Sequence, residues 1–225
     1  MGLEMGKLEI LKNIQLRVKP TKLVQSLGDK VSPKIFKIAQ DLTTLAIHLA
    51  RPIGYFRIEK IKRKKRGRIL LDEDIELELN RISIAFQSCK HAVVYICTIG
   101  NRVEEPLNQF YKKGDPFRTY AFDRICSSLT EELAEQIQTM VARRFEGQGL
   151  KATYRFSPGY CQWKISEQQK LFHFFQEPDI KISLSNSYMM SPRKSVSAIF
   201  GLSEKSAHET NPCRFCNRDC PWRRE

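Results

Sequence analysis

The segment HAVVYICTIG, residues 91–100, decides the fold that the sequence predicts. It is a continuous apolar run rich in β-branched side chains, and it closes on Gly100. Residues of this type favour a strand. Because apolar residues do not alternate with polar ones, both faces of the strand should be covered by other parts of the chain. The sequence therefore predicts a buried strand with packing on both sides.

Two strong helical patterns flank this strand. Ser32 is a good N-cap, Pro33 fits the first turn, and apolar residues then recur at three- and four-residue steps until Pro52. Asp115 and Pro116 repeat the same start for a longer helix. Both patterns predict amphipathic helices that pack on the sheet.

Weaker patterns predict the remaining elements. A capping box of Ser166 and Gln169 should begin the helix EQQKLFHFF. We also predict helices near 74–87 and 102–112, a strand ATYRFS at 152–157, and a strand IKISLS at 180–185. Helices and strands mix without a regular strand–helix repeat, which favours the α+β class.

Length and composition bound the class of protein. The chain has 225 residues and a formal net charge of +13, and it is long enough for one domain with its own core. We expect that domain at 1–205, followed by a Cys-rich basic tail at 206–225. No apolar run approaches the roughly 18 residues of a membrane span, and the N-terminus lacks the signal-peptide pattern. We therefore expect a cytoplasmic protein without a membrane partner.

Much of the positive charge lies in EKIKRKKRGRIL, residues 59–70, with Gly67 marking a turn. A cluster of this kind between two extended runs most simply forms a solvated hairpin, because charge protects an exposed strand edge from unwanted pairing. Docking of an acidic protein or cofactor is an alternative. Nucleic acid binding is a further, less favoured one.

The candidate binding element is RFSPGYCQW, residues 155–163. Proline followed by glycine fits a type II turn, which leaves backbone groups accessible without a large side chain over Gly159. Arg155 offers a planar set of donors suited to a carboxylate, and Tyr160 offers an aromatic face or a hydroxyl. A ligand with a carboxylate, a positive centre and a ring would suit these groups. An ordinary turn without a ligand is the alternative.

Two motifs carry a resemblance to a known family. RFSPGYCQWKISEQQKLF begins at Arg155, and SNSYMMSPRKSVSAIFG follows at 185–201. They resemble the Arg-x-x-x-Gly-Tyr turn and the Met-x-Pro-x-x-Ser-Val-Ser segment of the S-adenosylmethionine-binding activation domain of cobalamin-dependent methionine synthase. VVYICTIGNRVE and the long helix at 114–137 look like further parts of that domain, so the likeness spans roughly residues 35–202. Stand-alone forms, without the catalytic modules, are the most similar.

The resemblance implies a fold and a function. The fold would be a mixed, largely antiparallel sheet with several flanking helices. In that family the domain binds S-adenosylmethionine over the corrin. After accidental oxidation to cob(II)alamin, an electron from a reductant and the methyl group of S-adenosylmethionine regenerate methylcobalamin. This chain would support methionine biosynthesis in trans, with a corrinoid methyltransferase as partner and a flavodoxin or ferredoxin as electron donor.

The cobalamin would be held by the partner protein. The cobalamin-binding signature Asp-x-His-x-x-Gly is absent from the sequence. The chain also has no room for the catalytic barrels of a methionine synthase. It is therefore expected to act as an accessory component of a methyltransferase and not as a complete enzyme.

The resemblance also implies which residues contact S-adenosylmethionine. Arg155 should bind the carboxylate, and the backbone near Ser157 should meet the adenine or ribose. Gly159 would allow close approach, and Tyr160 would line the pocket. These four residues form the core of the expected site.

Three further positions are expected at the site. Phe200 and Gly201 fall where the family closes its pocket with backbone and an aromatic ring, although core packing explains Phe200 equally. On the long helix the chain departs from the family pattern, because Ser127 aligns with an acidic residue that helps to hold the ligand. Glu131, one turn later, is the candidate for binding the ammonium or ribose. A solvated helix face is the alternative.

The C-terminal sequence NPCRFCNRDCPWRRE carries Cys213, Cys216 and Cys220. Closely spaced thiolates hold iron–sulfur clusters or zinc, and Cys161 is the candidate for a fourth ligand. This spacing supports an alternative function, a metal-binding accessory protein in electron transfer. A tail with incidental thiols and a redox switch are the other interpretations.

Cys97 and Cys126 are predicted to be small core residues.

Overall fold

The structure is a computed structural model that describes residues 5–17, 32–206, 209 and 211–215. The strands in chain order are β1 (Glu9–Lys12), β2 (Ile53–Lys60), β3 (Arg63–Lys65), β4 (Arg68–Leu70), β5 (Glu76–Glu78), β6 (His91–Thr98), β7 (Lys151–Ala152), β8 (Ser183–Leu184), β9 (Met190–Ser191) and β10 (Ser195–Ser203). The α-helices are α1 (Pro33–Leu49), α2 (Glu104–Lys112), α3 (Pro116–Arg143) and α4 (Gln168–His173).

The centre of the molecule is a five-stranded sheet with the order β1-β2-β6-β10-β7. Every neighbouring pair in it is antiparallel. β6 lies in the middle, and its residues from Ala92 to Thr98 are all buried. The prediction of a strand covered on both faces is confirmed, as is the α+β class.

The first face of the sheet is covered by α1 and α3. Both helices begin as predicted: the Oγ of Ser32 accepts a hydrogen bond from the Ile35 N–H at 3.4 Å, and the carboxylate of Asp115 accepts one from the Arg118 N–H at 2.9 Å. The buried stripe of α3 packs on side chains of β2, β6 and β10 in one apolar cluster. Cys97 and Cys126 belong to this cluster, as predicted.

The second face is covered by shorter elements. They are the three-stranded sheet β3-β4-β5, the pair β8-β9, α4 and several turns of 3₁₀-helix. A second apolar cluster, which includes Phe86, Trp163 and Phe174, fills the space between them and the central sheet. The core of this domain is therefore divided by the sheet into two parts.

The predicted helix at 74–87 is wrong. Its first part is β5, and its second part is a 3₁₀-helix at Asn80–Phe86. Glu73, Asp74 and Asn80 have φ values of 58°, 57° and 51°. The left-handed conformation cannot continue a right-handed helix, so these residues break the predicted element.

Three other local predictions need correction. No side chain caps α4, and its N-cap position is Glu167, so the capping box of Ser166 and Gln169 is wrong. The strand predicted at 152–157 is reduced to β7 and one bridge between Phe156 and Ile199. The strand predicted at 180–185 is reduced to β8.

The basic segment forms the predicted hairpin. β3 and β4 pair around Gly67, whose φ is 79°. Acidic residues that follow in the chain pair with part of the charge: Arg68 lies 3.1 Å from Glu76, and Lys62 lies 3.2 Å from Asp74. The charge cluster thus has a structural role at the edge of the small sheet.

Within the described ranges, no helix is long and apolar enough to cross a bilayer.

Candidate functional site

Arg155 is held at the edge of the central sheet. Its neighbour Phe156 exchanges two backbone hydrogen bonds of 2.9 Å with Ile199 of β10. The Nη2 of Arg155 donates to the Oε2 of Glu131 at 2.5 Å. The Arg155 side chain is 22% exposed and that of Glu131 is 61% exposed. Burial alone would lower the pKa of Arg155, but Tyr95 and the carboxylates of Glu131 and Glu135 raise it. The guanidinium is therefore a fixed positive charge.

The backbone after Arg155 makes a tight turn. The Tyr160 N–H donates to the Ser157 carbonyl at 3.2 Å, and Gly159 has a φ of 95°, as a type II turn requires. A Cβ at Gly159 would have only the end of the Ile165 side chain within 4 Å, at 3.5 Å. Tyr160 is 55% exposed. The Gly159 N–H already donates to the Trp163 carbonyl at 2.8 Å, so the turn offers a glycine without an overlying side chain and an exposed tyrosine, five residues after Arg155.

An unpaired strand edge borders this turn. Phe156 and Ile199 form the last bridge on that side of β10, and the chain then leaves the sheet. Ser197 and Ser195 follow at two-residue steps, so their backbone N–H and C=O groups face the same side as those of Ile199. Within the described residues no strand pairs with β10 there. These groups lie where an extended or planar ligand would meet backbone donors and acceptors.

Helix α3 presents polar groups along the same side. Asp123, Ser127 and Glu131 are four residues apart and share one helix face, which we call the polar row. The Nζ of Lys194 donates to the Asp123 carboxylate at 2.6 Å and to the Ser127 Oγ at 3.0 Å. Lys194 is a site residue that the sequence reasoning missed. No local sequence signal indicates this pair, because Lys194 and Asp123 are 71 positions apart.

Comparison with known proteins identifies the domain. The family model described as "Vitamin B12 dependent methionine synthase, activation domain" matches residues 83–210, more than half of the chain. The chain belongs to this family. Among solved structures, "Crystal Structure of the MetH Reactivation Domain bound to AdoHcy" matches with a TM-score of 0.63 and 14% identity. The match covers 87% of this chain and 78% of that chain, and it shows the shared fold. No curated protein matches.

In this activation domain Phe200 and Gly201 are core residues. Phe200 is fully buried, and its ring packs edge-on against Tyr95 with 6.1 Å between ring centroids. A Cβ at Gly201 would lie 2.4 Å from the Cys89 Sγ and 3.2 Å from the Phe86 ring. The core-packing alternative therefore describes Phe200. Gly201 is required by the close approach of its neighbours.

Glu131 lies at the site, but its position differs from the expectation. It binds the Arg155 guanidinium directly, so it already has a partner within the protein. The alternative that Glu131 simply lies on a solvated helix face is therefore incomplete, because its ion pair fixes the direction of the Arg155 side chain. Ligand contacts of Arg155, Ser157, Gly159 and Tyr160 remain predictions.

Two concave regions of the activation domain lie away from Arg155 and Tyr160. A cavity of about 400 Å³ lies between α2, α3 and residues 188–194, and its lining includes Asp123 and Lys194. It therefore adjoins the polar row. An open groove of about 480 Å³ lies on the second face, lined by residues from Gln169 to Asn186. Neither Arg155 nor Tyr160 lines these two regions.

The described part of the tail packs on the second face. A 3₁₀-helix at Pro212–Phe215 contacts the one at Asn80–Phe86, and the Cys213 N–H donates to the Asn211 side chain at 3.0 Å. The Nδ2 of Asn80 donates to the Gln162 carbonyl at 3.4 Å, which places the Cys161 turn against the same helix. Cys216 and Cys220 lie outside the described residues. Within the described part of the chain, no three His, Cys, Asp or Glu residues are grouped as metal ligands.

Proposed function

We propose that this activation domain binds S-adenosylmethionine at the turn of residues 155–160 and the adjacent edge of β10. The observation that carries the proposal is the guanidinium of Arg155, held by Glu131 and followed within five residues by a turn with no side chain over Gly159 and with an exposed Tyr160. The solved relative with AdoHcy in its title supports a ligand of this class.

The residues at the turn fit S-adenosylmethionine. The Arg155 guanidinium suits the carboxylate of the ligand through charge-assisted hydrogen bonds. The carboxylates of Glu131 and Asp123 lie on the neighbouring face of α3 and favour a positively charged ammonium or sulfonium nearby. Backbone at Ser157 and along β10 supplies donors and acceptors for an adenine or ribose. Tyr160 would cover the ligand from the solvent side.

Each residue has a separate task in this proposal. Arg155 binds the carboxylate, and Glu131 acts as a positioning residue that fixes the direction of the guanidinium. Gly159 keeps the backbone accessible, since a side chain there would stand over the turn. Bound S-adenosylmethionine supplies a methyl group on a positively charged sulfur. The residues of the turn would hold that group for transfer to a cobalamin carried by a partner protein.

Isothermal titration calorimetry with S-adenosylmethionine tests the site. We expect saturable binding to the wild type, weakened about 10- to 150-fold by Arg155→Ala, since a hydrogen bond to a charged group contributes about 1.5–3 kcal/mol. Arg68→Ala is the matched control, because Arg68 is also paired with a carboxylate but lies on the small sheet. Equal binding by the wild type and Arg155→Ala, or binding by neither, would refute the proposal.

The proposed role of the domain is reductive remethylation in trans, in the cytoplasm. The partner would be a cobalamin-dependent methionine synthase or a related corrinoid methyltransferase, and a flavodoxin or ferredoxin would supply the electron. The test mixes the partner in its cob(II)alamin form with reductant and S-adenosylmethionine, and follows methylcobalamin by absorbance. Remethylation should require this chain and should be lost with Arg155→Ala. Remethylation at the same rate without the chain would contradict the role.

A second candidate is a metal site formed by Cys213, Cys216, Cys220 and Cys161. It is favoured by one observation: the Cys161 turn and the Pro212–Phe215 segment border the same 3₁₀-helix. Four thiolates suit an iron–sulfur cluster or zinc in an electron-transfer accessory role. Anaerobic purification followed by metal analysis tests it. Stoichiometric iron or zinc that Cys161→Ser and Cys213→Ser both reduce supports the site, and metal-free wild-type protein refutes it.

A further inference from the structure

Glu59 is a buried carboxyl group of β2, on the second face of the sheet. Its residue is 0% exposed, and neither carboxyl oxygen has a hydrogen-bond partner among the described residues. Burial, followed by the charge of Asp72, raises the pKa of Glu59 to about 7, and Arg57 opposes this rise. A carboxyl group of this kind holds its proton at slightly acidic pH and loses it just above neutrality.

Arg57 is the positively charged residue that lies on the same face of β2 as Glu59. The two residues lie two positions apart on β2, so their side chains share one face with about 7 Å between Cα atoms. The Arg57 side chain is 15% exposed, and it donates to Glu73 at 3.0 Å and to Glu177. Arg57 is thus engaged by two carboxylates while a third carboxyl group lies within reach.

Arg57 also anchors one wall of the open groove on the second face. Glu177, Ile180 and Ile182 line that groove. Tyr55, on the same face of β2 as Arg57, holds the same segment: its hydroxyl accepts from the Lys181 N–H at 3.1 Å. Two side chains of one strand therefore fasten the segment from Glu177 to Lys181.

We propose that Arg57 exchanges partners as Glu59 loses its proton, and that this exchange loosens the groove wall at residues 177–182. The proton passes from the Glu59 carboxyl group to water. The new carboxylate is then paired with Arg57, because an unpaired buried charge is far more costly than a lost ion pair nearer the surface. Glu177 loses its hydrogen bond to the guanidinium, while the Tyr55 anchor stays in place.

Other charged groups face this region and define the controls. Asp72 and Glu73 lie beside Glu59, and both favour its neutral form. His173 is the histidine of this region, and its Nε2 lies 4.0 Å from Glu73. A response of the groove to pH must therefore be assigned to Glu59 and not to His173.

Hydrogen exchange of residues 176–186, followed by mass spectrometry from pH 5.5 to 8.5 and corrected for the intrinsic pH dependence of exchange, tests the proposal. Protection in the wild type should fall about tenfold with a midpoint near pH 7, if one ion pair of about 1.4 kcal/mol is lost. Glu59→Gln keeps the shape and removes the charge, so its protection should stay high and independent of pH.

Three variants separate the alternatives. His173→Asn and Glu76→Gln, at a half-buried carboxylate of the small sheet, should both retain the wild-type response. Arg57→Gln should show low protection at every pH. A flat wild-type profile, a response that persists in Glu59→Gln, or a response that disappears in His173→Asn would each overturn the proposal.

Discussion

The two faces of the central sheet differ in how their polar side chains are paired. On the first face, the site charges lie near the surface and are paired, as in Arg155 with Glu131 and Lys194 with Asp123. On the second face, buried side-chain atoms lack hydrogen-bond partners among the described residues at Arg57, Glu59, Trp163, Gln168 and Glu177. The first arrangement suits recognition of a charged ligand. The second makes the stability of the fold depend on protonation.

The largest effect on stability should come from Glu59→Gln. The pKa of Glu59 rises from 4.5 to about 7 on folding, so the folded state binds the proton more tightly than the unfolded state does. Stability of the wild type should therefore fall as pH rises through this interval and level off above it. The difference corresponds to about 3 kcal/mol. Glu59→Gln should remove this loss, so that the variant is the more stable protein at pH 8.

Urea unfolding at several pH values between 4.5 and 8.5 measures this difference. Glu76→Gln is the control, because Glu76 is only half-buried and is paired with Arg68. If the free energy of unfolding changes with pH in the same way for the wild type and Glu59→Gln, Glu59 is not the cause of the pH dependence.

Glycine substitutions compare the packing of the two faces. A Cβ at Gly201 would meet the Cys89 Sγ at 2.4 Å and the Phe86 ring, which are fixed in the second core. A Cβ at Gly54 would meet the end of the Ile137 side chain at 2.5 Å, and the end of this side chain can change rotamer. We expect Gly201→Ala to cost about 2 kcal/mol and Gly54→Ala less than about 1 kcal/mol. Chemical denaturation measures both, and equal losses would contradict the difference in packing.

The smallest effects should come from the helix caps of the first face. Asp115 accepts the Arg118 N–H at 2.9 Å, whereas the bond from Ile35 to Ser32 is 3.4 Å long. Asp115→Ala should lower the melting temperature by about 2–4 °C. Ser32→Ala should have a smaller effect, because a long hydrogen bond contributes less. Scanning calorimetry of the two variants checks the order, and a larger loss for Ser32→Ala would reverse our ranking of the caps.

The first face was predictable from sequence because its signals are local. The caps at Ser32 and Asp115 and the apolar periodicity of α1 and α3 lie within a few residues of the elements they define. The second face was not predictable in the same way. The helix predicted at 74–87 is absent, and short elements take its place. Glu73 and Asp74 adopt left-handed conformations there, which most residues avoid and which sequence patterns do not reveal.

The candidate site was only half predictable for a related reason. The turn at Gly159 follows from two adjacent residue types, Pro and Gly, and the structure contains it. The pairs of Arg155 with Glu131 and Lys194 with Asp123 join residues 24 and 71 positions apart. Such pairs depend on how α3 packs beside β10, so residue spacing alone gives no sign of them.

The most direct test of the site is the hydrogen-exchange footprint of S-adenosylmethionine on the full chain. We expect slower exchange at residues 155–160 and 195–199 when the ligand is added, with no change at 176–186. Protection confined to the groove at 176–186, or no protection anywhere in the chain, would contradict it.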